Sequence, residues 1–237
     1  APPVAGDGAA ALAIAAAPPP LYPVRLPPAF SGRWRREGGG RDGEFVLDWS
    51  PGDGSYRLVL ADDAGDGWAS RGALGAHGLE PERLVERRRG RDRRAANFRR
   101  DVGRISYSGL EQQHALLPGA QDRLSWLAQL AAVVAAAPQR FVPGAAVELF
   151  VAGTRGDAAL RRFDVVALEA LELPAGPVPA ALRLASAAPA PYEPKLEVWL
   201  DPARGWLPVR WRSEVAATGT VVEQRLLGTA AVTSAGP

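Results

Sequence analysis

The sequence contains no cysteine, which excludes disulfide bonds and thiolate metal sites. Its two histidines, His77 and His114, are isolated from each other and from neighbours that resemble metal ligands, so we expect no metal and no cofactor. Lysine occurs once, at Lys195, and all other basic side chains are arginine, which together with the abundant alanine is typical of G+C-rich coding. No apolar run approaches the roughly 18 residues that a helix needs to cross a bilayer, so we predict no transmembrane helix.

Recognisable catalytic motifs are also missing. The glycines at 72, 75 and 78 lack the G-x-G-x-x-G spacing of a dinucleotide loop and are predicted to lie in a strand with bulges. The turn at residues 62–67 leads to alanine at the position where a calcium loop requires its twelfth-residue glutamate. Ser70 lies outside the G-x-S-x-G elbow of hydrolases. We therefore predict that the protein is not an enzyme, although a catalytic triad assembled only by the fold stays open.

One long helix is predicted near the middle of the chain, from Asp122 to Ala137. Gln121 or Asp122 can cap its first free amides, and Pro138 cannot continue its hydrogen-bond ladder. The first half of the helix is amphipathic, whereas residues 130–137 are apolar all round. Such a half-helix needs cover on several sides, which a curved sheet provides and a flat sheet does not.

The rest of the chain shows the period-two alternation of short strands separated by glycine and proline turns. Residues 22–26 form a predicted edge strand, and residues 44–49 and 56–60 form a predicted hairpin around a Pro-Gly-Asp-Gly turn. We predict a mainly β protein, with a strongly curved antiparallel sheet or incomplete β-barrel and one long helix packed on its concave side.

The domain prediction follows from the same patterns. Residues 21–227 are predicted to form a single β-rich domain, residues 1–20 a disordered Ala/Pro-rich tail or linker, and residues 228–237 a frayed C-terminus. Because the chain begins at Ala1 rather than with methionine, we expect a cleaved export signal and a periplasmic protein. A trimmed end would give the same first residue.

Positive charge is concentrated between Arg83 and Arg104. This segment holds ten arginines and three acidic residues, a net charge of +7, whereas the whole chain carries +2. One hypothesis is an anion-binding hairpin for phospholipid or lipopolysaccharide head groups, and the simpler alternative is a solvated strand face whose charges discourage edge pairing. Nucleic acid is not expected, because few aromatic residues are interleaved for base stacking. The candidate anion-binding residues are Arg87, Arg88, Arg89, Arg91, Arg93 and Arg94.

Seven tryptophans provide large apolar surface. Indole rings are suited to the wall of an apolar ligand cavity, although core packing is the more common role of any single tryptophan. Trp126 is the best candidate for a cavity wall, because its helix carries more apolar surface than one flat sheet would cover. The candidate ligand-binding residues are Trp126, Leu127, Leu130, Val134, Phe98 and Trp199.

Three blocks of sequence together resemble the bacterial family catalogued as domain of unknown function 3108. They are SRGALGAHGLEPERLVERRRGRDRRAANF (70–98), LLPGAQDRLSWLAQLAAVVAAAPQRFVPG (116–144) and LEVWLDPARGWLPVRW (196–211). The resemblance extends from about Tyr22 to Leu227 and implies an exported, envelope-associated protein without an established activity. By fold analogy, a curled antiparallel sheet around a helix is similar to the lipoprotein carriers LolA and LolB, whose open barrels hold acyl chains.

Two hypotheses of function follow. The first is a non-enzymatic periplasmic or envelope protein that binds a lipid, a lipidated protein or another apolar ligand between sheet and helix. The second is a structural or interaction module with a filled core, which holds an envelope partner through its basic hairpin or a sheet edge. Under both, we expect a monomer that contacts an anionic membrane surface peripherally. An enzyme would require a cleft that brings His77 or His114 to a serine and a carboxylate.

Overall fold

The structure is a computed structural model that describes residues 18–231. In that part of the chain, fifteen strands and one α-helix form the fold. They are β1 (Phe30–Gly38), β2 (Gly43–Gly52), β3 (Ser55–Ala61), β4 (Gly67–Gly75), β5 (Gly78–Arg88), β6 (Arg91–Arg99), β7 (Arg104–Tyr107), β8 (Gln113–Ala115), β9 (Gln121–Asp122), α1 (Ser125–Ala136), β10 (Ala146–Ala152), β11 (Ala158–Leu173), β12 (Gly176–Ser186), β13 (Lys195–Asp201), β14 (Leu207–Val215) and β15 (Thr220–Ala231).

All fifteen strands belong to one sheet, in the order β8-β7-β6-β5-β4-β3-β2-β1-β15-β14-β13-β12-β11-β10-β9. We call β1–β8 the first half and β9–β15 the second half. Antiparallel pairing of β1 with β15 joins the two halves, and β9 pairs in parallel with β10. The outer strands β8 and β9 do not pair with each other, so the sheet is curved but open. The prediction of a mainly β protein with one large antiparallel sheet is confirmed.

The hairpin of β2 and β3 illustrates how local sequence sets this sheet. Phe45, Leu47 and Trp49 are buried at every second position of β2, as the alternation predicted. The turn places Asp53 at φ 50° and Gly54 at φ 70°, the left-handed conformations that a two-residue hairpin loop needs. Register is therefore set by the turn and by the apolar face together.

Helix α1 begins three residues later than predicted. Gln121 and Asp122 form β9 instead, and the Asp122 carboxylate accepts hydrogen bonds from the backbone amides of Leu124 at 2.8 Å and Ser125 at 2.7 Å. All residues from 125 to 135 are buried, and α1 contacts β5 of the first half as well as β9, β10 and β14 of the second half. The predicted need for cover on several sides is met by strands from both halves.

The segment before β1 differs from its prediction. Residues 22–26 do not form a strand, because Pro23 within them and Pro27 and Pro28 directly after them lack the amides that a ladder requires. The segment is irregular and packs against the helix, where the Arg25 amide donates to the Ala132 carbonyl oxygen at 2.9 Å. The Tyr22 hydroxyl accepts a 2.9 Å hydrogen bond from the amide of Glu148 in β10.

At the other end of the chain, β15 continues through Ala231 and pairs its residues 228–231 with residues 30–33 of β1, where a frayed end was predicted. Residues 1–17 and 232–237, which hold most of the predicted tail and the rest of the predicted frayed end, lie outside the described residues. Within the described range, the structure contains no helix that combines the length and apolar character needed to span a membrane.

Candidate functional site

A cleft of about 780 Å³ lies between the two halves of the sheet, beside the start of α1. Leu124, Trp126 and Leu127 contribute the apolar surface of the helix end. The Trp126 ring stacks on Phe163 of β11, with 5.0 Å between ring centroids and 16° between planes. The part of the cleft next to α1 is therefore apolar, and its Trp126 ring is fixed by packing on Phe163.

Apolar side chains from both halves form the walls. Leu60 and Trp68 come from the first half, and Val151 and Leu196 come from the second. Where the halves join, Phe45 and Trp211 pack on each other and on Trp34, with ring centroids 5.6–6.2 Å apart. A volume in the range of small-molecule sites, with apolar and aromatic walls, is the usual environment of an apolar ligand.

Charged side chains surround these walls in balanced numbers. Seven arginines and seven carboxylates line the cleft, and most of them are paired. Arg123 bonds both Asp157 at 2.6 Å and Glu193 at 2.7 Å, and Glu193 also pairs with the buried Arg161 at 3.1 Å. Burial lowers the pKa of Arg123, but the two carboxylates outweigh burial and hold the pKa above its ordinary value. This cluster fixes the loop of residues 187–194 against the cleft.

A second polar group lies beneath the start of α1. Tyr56 of β3 hydrogen-bonds Ser70 of β4, which donates to the fully buried carboxylate of Asp122, and the Asp122 amide donates to the Ser125 hydroxyl. Burial raises the pKa of Asp122, although hydrogen bonds from Ser70 and two backbone amides act in the opposite direction. Burial, with the nearby Asp122 charge, also raises the pKa of Tyr56 well above its ordinary value. These bonds tie the helix start to the first half of the sheet.

The histidines do not complete a catalytic arrangement within residues 18–231. His77 hydrogen-bonds the carbonyl oxygen of Tyr22 at 3.3 Å, and His114 that of Gly156 at 2.8 Å. Neither forms a hydrogen bond with a serine or a carboxylate, and the buried Ser70–Asp122 pair has no histidine partner. The same residues contain no group of three or more His, Asp or Glu side chains placed to hold a metal ion.

The structure brings two of the six candidate ligand-binding residues to the cleft. Trp126 and Leu127 line it, whereas Leu130 and Val134 are fully buried in the core. Phe98 lies at a separate, shallow depression over β4–β7. The Trp199 Nε1 donates to Glu169 at 2.9 Å, and the guanidiniums of Arg183 and Arg210 lie over its ring, so it is enclosed by charged side chains.

The six candidate anion-binding residues lie on the hairpin of β5 and β6. Arg87 and Arg88 line the cleft and pair with Asp92 at 3.1 Å and Asp66 at 3.4 Å. Arg89 and Arg94 are exposed; the Arg89 amide donates to Asp66, and the Arg94 guanidinium lies 3.7 Å from Glu86. Arg91 and Arg93 are exposed and have no ion-pair partner among the described residues.

Sequence reasoning did not single out several cleft residues. Trp68 and Trp211 were visible only as members of the tryptophan set, and Phe45, Leu60 and Val151 only as apolar positions of strands. Arg36 and Arg123 had no local signal at all. Their common location depends on which strands face each other across the open sheet, and that is decided by pairing between distant segments.

Comparison with known proteins places the chain in a family. A family model described as a protein of unknown function, DUF3108, matches residues 33–225. No curated protein matches the sequence. Among solved structures, the chain is similar to a β-barrel-like protein of domain of unknown function DUF1849 from Brucella abortus, with 13% identity, a TM-score of 0.50, and coverage of 87% of this chain and 98% of that one. That similarity concerns the fold alone.

Two other solved structures are more distant. The hypothetical lipoprotein YmcC from Escherichia coli is 12% identical, with a TM-score of 0.39 and coverage of 84% of this chain and 83% of that one. The Pseudomonas aeruginosa MucA/MucB complex gives 16% identity and a TM-score of 0.37 over 85% of this chain and 51% of that one, so this chain spans about half the length of the MucB structures that it matches. Because the family model covers most of its length, the chain belongs to the DUF3108 family of proteins of unknown function.

Proposed function

We propose that this protein is a non-enzymatic binding protein of the bacterial envelope, which holds a lipid or another apolar ligand in the cleft between its sheet and α1. The observation that carries the proposal is a cleft of about 780 Å³ whose apolar walls come from both halves of the sheet and from the first turn of the helix. Its volume falls within the range of about 300–1,000 Å³ that is usual for small-molecule sites.

The position of α1 supports this proposal. The helix contacts β5 and β14, which are separated by five strands in the sheet order. Contact of one helix with two such distant strands supports a placement of α1 on the concave side of the sheet, with the cleft in the remaining space. Arg87 and Arg88 at the cleft edge provide positive charge for an anionic head group.

A direct test fills the cleft and measures binding of a neutral apolar probe. Ala159, which lies opposite Val151 in the β10–β11 pair, lines the cleft, so Ala159→Trp places an indole in the ligand volume. Leu168→Trp on the same strand is the matched control, because Leu168 is 61% exposed and does not line the cleft. We expect saturable binding of N-phenyl-1-naphthylamine to the parent and to Leu168→Trp, and at least about tenfold weaker binding to Ala159→Trp.

Two outcomes of this binding experiment would contradict the proposal. Absence of saturable binding to the parent would overturn the proposal, as would equal affinity of all three proteins. The interaction-module hypothesis would then be preferred, because Arg91 and Arg93 are exposed on the hairpin without ion-pair partners among the described residues. Such side chains are available to an acidic envelope partner.

A further inference from the structure

One arginine of the cleft differs from the others. Arg36 in β1 lines the cleft and is half-buried, but no carboxylate of residues 18–231 lies within ion-pair distance of its guanidinium. Its Nε atom is buried and has no hydrogen-bond partner. The neighbouring arginines have ion-pair partners, since Arg41 and Arg88 both pair with Asp66. Arg36 is therefore a half-buried cation beside the cleft that has no ion-pair partner among the described residues.

The direction of this side chain follows from the strand. Arg36 comes two residues after Trp34, so both side chains extend from the same face of β1. Trp34 is fully buried against Phe45 and Trp211, which places Arg36 on the interior face, next to the aromatic wall of the cleft. Arg36 lies within a paired strand, so its position is fixed by the register of the sheet and does not depend on a loop.

A second polar group stands beside it. Gln224 of β15 is the residue directly opposite Arg36 in the β1–β15 pair, and it also lines the cleft. Its side-chain Oε1 is buried without a hydrogen-bond partner. Buried polar atoms are normally satisfied, so two adjacent cleft-lining residues that each hold an unsatisfied polar atom are suited to receive the polar group of a ligand.

The local electrostatics favour an anion at this point. Burial lowers the pKa of Arg36, the positive charges of Arg41 and Arg88 lower it further, and the negative charges of Asp62 and Asp42 act in the opposite direction, with a net lowering. Among the nearby acids, Asp66 is held by Arg41 and Arg88, and Asp42 accepts a 2.7 Å hydrogen bond from the Gly38 amide. A negatively charged group brought to Arg36 would relieve the cost of a half-buried, unpaired cation.

We propose that Arg36, assisted by Gln224, binds the anionic head group of a single-chain amphiphile, a carboxylate or a phosphate, while the apolar chain extends toward Trp126 and Leu127. This inference rests on the proposed function and adds the chemical class of the ligand. It differs from the basic-hairpin hypothesis, because the deciding cation lies inside the sheet and not on the β5–β6 hairpin.

The test compares ligands of equal chain length by calorimetry. Laurate and dodecyl phosphate carry an anionic head group, dodecanol does not, and inorganic phosphate and acetate carry the anion without the chain. The variants are Arg36→Met, which keeps the apolar stem, Arg36→Lys, which keeps the charge, and Arg35→Met as the control. Arg35 is on the same strand, but its side chain is 52% exposed and pairs with Glu44.

We expect the parent and Arg35→Met to bind laurate and dodecyl phosphate about tenfold or more tightly than dodecanol, as for a charge-assisted hydrogen bond. Arg36→Met should lose most of this preference, since Arg87 and Arg88, which remain at the cleft edge for the head group, are already paired, and Arg36→Lys should recover part of it. An unchanged thermal midpoint without ligand would exclude misfolding of the variants.

The failures are distinguishable. If none of the amphiphiles binds the parent, the proposed function itself fails. If dodecanol and laurate bind the parent equally and Arg36→Met changes nothing, the cleft binds apolar chains, but the role of Arg36 is wrong. Inorganic phosphate or acetate that binds as tightly as the amphiphiles, and only when Arg36 is present, would identify a free-anion site and would overturn the head-group assignment.

Discussion

At the scale of single residues, Asp122 combines two effects of opposite sign. Its carboxylate accepts hydrogen bonds from the amides of Leu124 and Ser125 and thereby satisfies donors at the helix start, a contribution typically worth about 1 kcal/mol. The same carboxylate is completely buried, and burial raises its pKa. The hydrogen bonds of Asp122 therefore fix where the helix starts, whereas burial of its ionised carboxylate is unfavourable.

This balance predicts a pH dependence of stability. Because the pKa of Asp122 is higher in the folded than in the unfolded protein, the folded state binds the proton more tightly. Its contribution to stability is therefore greatest below the unfolded pKa near 3.8 and is lost as pH rises through the folded pKa. Relative to the isosteric Asp122→Asn variant, we expect the parent to lose up to about 1.4 kcal/mol per pH unit within this window.

The measurement is chemical denaturation of both proteins at intervals between pH 4 and 7. Using the difference between parent and variant removes the titration of all other groups that the substitution does not disturb. Asp66→Asn serves as the opposite control, because hydrogen bonds from the Arg89 amide and from Arg41 lower the pKa of this partly buried carboxyl. A parent that gains stability over Asp122→Asn with rising pH would contradict the burial argument.

At the scale of elements, the Gln129 side chain forms direct hydrogen bonds between α1 and the first half of the sheet. Gln129 is buried, its Oε1 accepts from the Leu79 amide at 2.8 Å, and its Nε2 donates to the His77 carbonyl oxygen at 2.8 Å. Gln129 thus pairs with the backbone of the β4–β5 turn as a strand would. Gly78, between the two, has φ 101°, and a Cβ there would lie 2.1 Å from the Gln129 Oε1.

This contact predicts a coupled pair of substitutions. Gln129→Ala leaves the buried Leu79 amide without a partner and removes the bond to the partly buried His77 carbonyl oxygen, which we expect to lower the free energy of unfolding by about 2–4 kcal/mol. Gly78→Ala is expected to be destabilising for two reasons, its left-handed backbone and its collision with Gln129. In the Gln129→Ala background only the backbone strain remains, so Gly78→Ala should cost less there.

A double-mutant cycle by urea denaturation measures this coupling. Gln113→Ala is the control for the amide truncation, because Gln113 is exposed, and it should change stability by less than about 0.5 kcal/mol. Strictly additive effects of Gln129→Ala and Gly78→Ala would contradict the predicted coupling between the two positions.

At the scale of the whole molecule, the sequence predicted what depends on local pattern. The strands around Phe45 and Leu58, the position of α1 and the family resemblance were all recognisable, and the family membership is confirmed. Strand β1 was missed, because arginines flank Trp34 and leave a single apolar residue at its centre. Residues 22–26 had the better alternation, but Pro23 and the two prolines that follow the segment exclude a ladder.

The cleft could be predicted only in part for a related reason. Trp126 and Arg88 carried visible signals in a helix and a charged segment, whereas Arg36 and Gln224 become neighbours only when the first and last strands of the sheet pair. That pairing joins the two ends of the described chain, and no local periodicity specifies it. A site whose residues come from two such distant strands can be recognised in the structure but not from the sequence pattern.

The joined halves give the last prediction, which concerns the extent of the bound ligand. Trp68 belongs to the first half and Trp211 to the second, and both line the cleft, whereas Trp199 is enclosed by Glu169, Arg183 and Arg210 away from it. A brominated fatty acid quenches indoles that it contacts, so we expect it to quench part of the parent's tryptophan fluorescence. Trp68→Phe and Trp211→Phe should each reduce the quenched intensity, and Trp199→Phe should leave it unchanged. Loss of quenching in only one of the first two variants would mean that the ligand lies against one half of the sheet, and quenching that depends on Trp199 would place it outside the cleft.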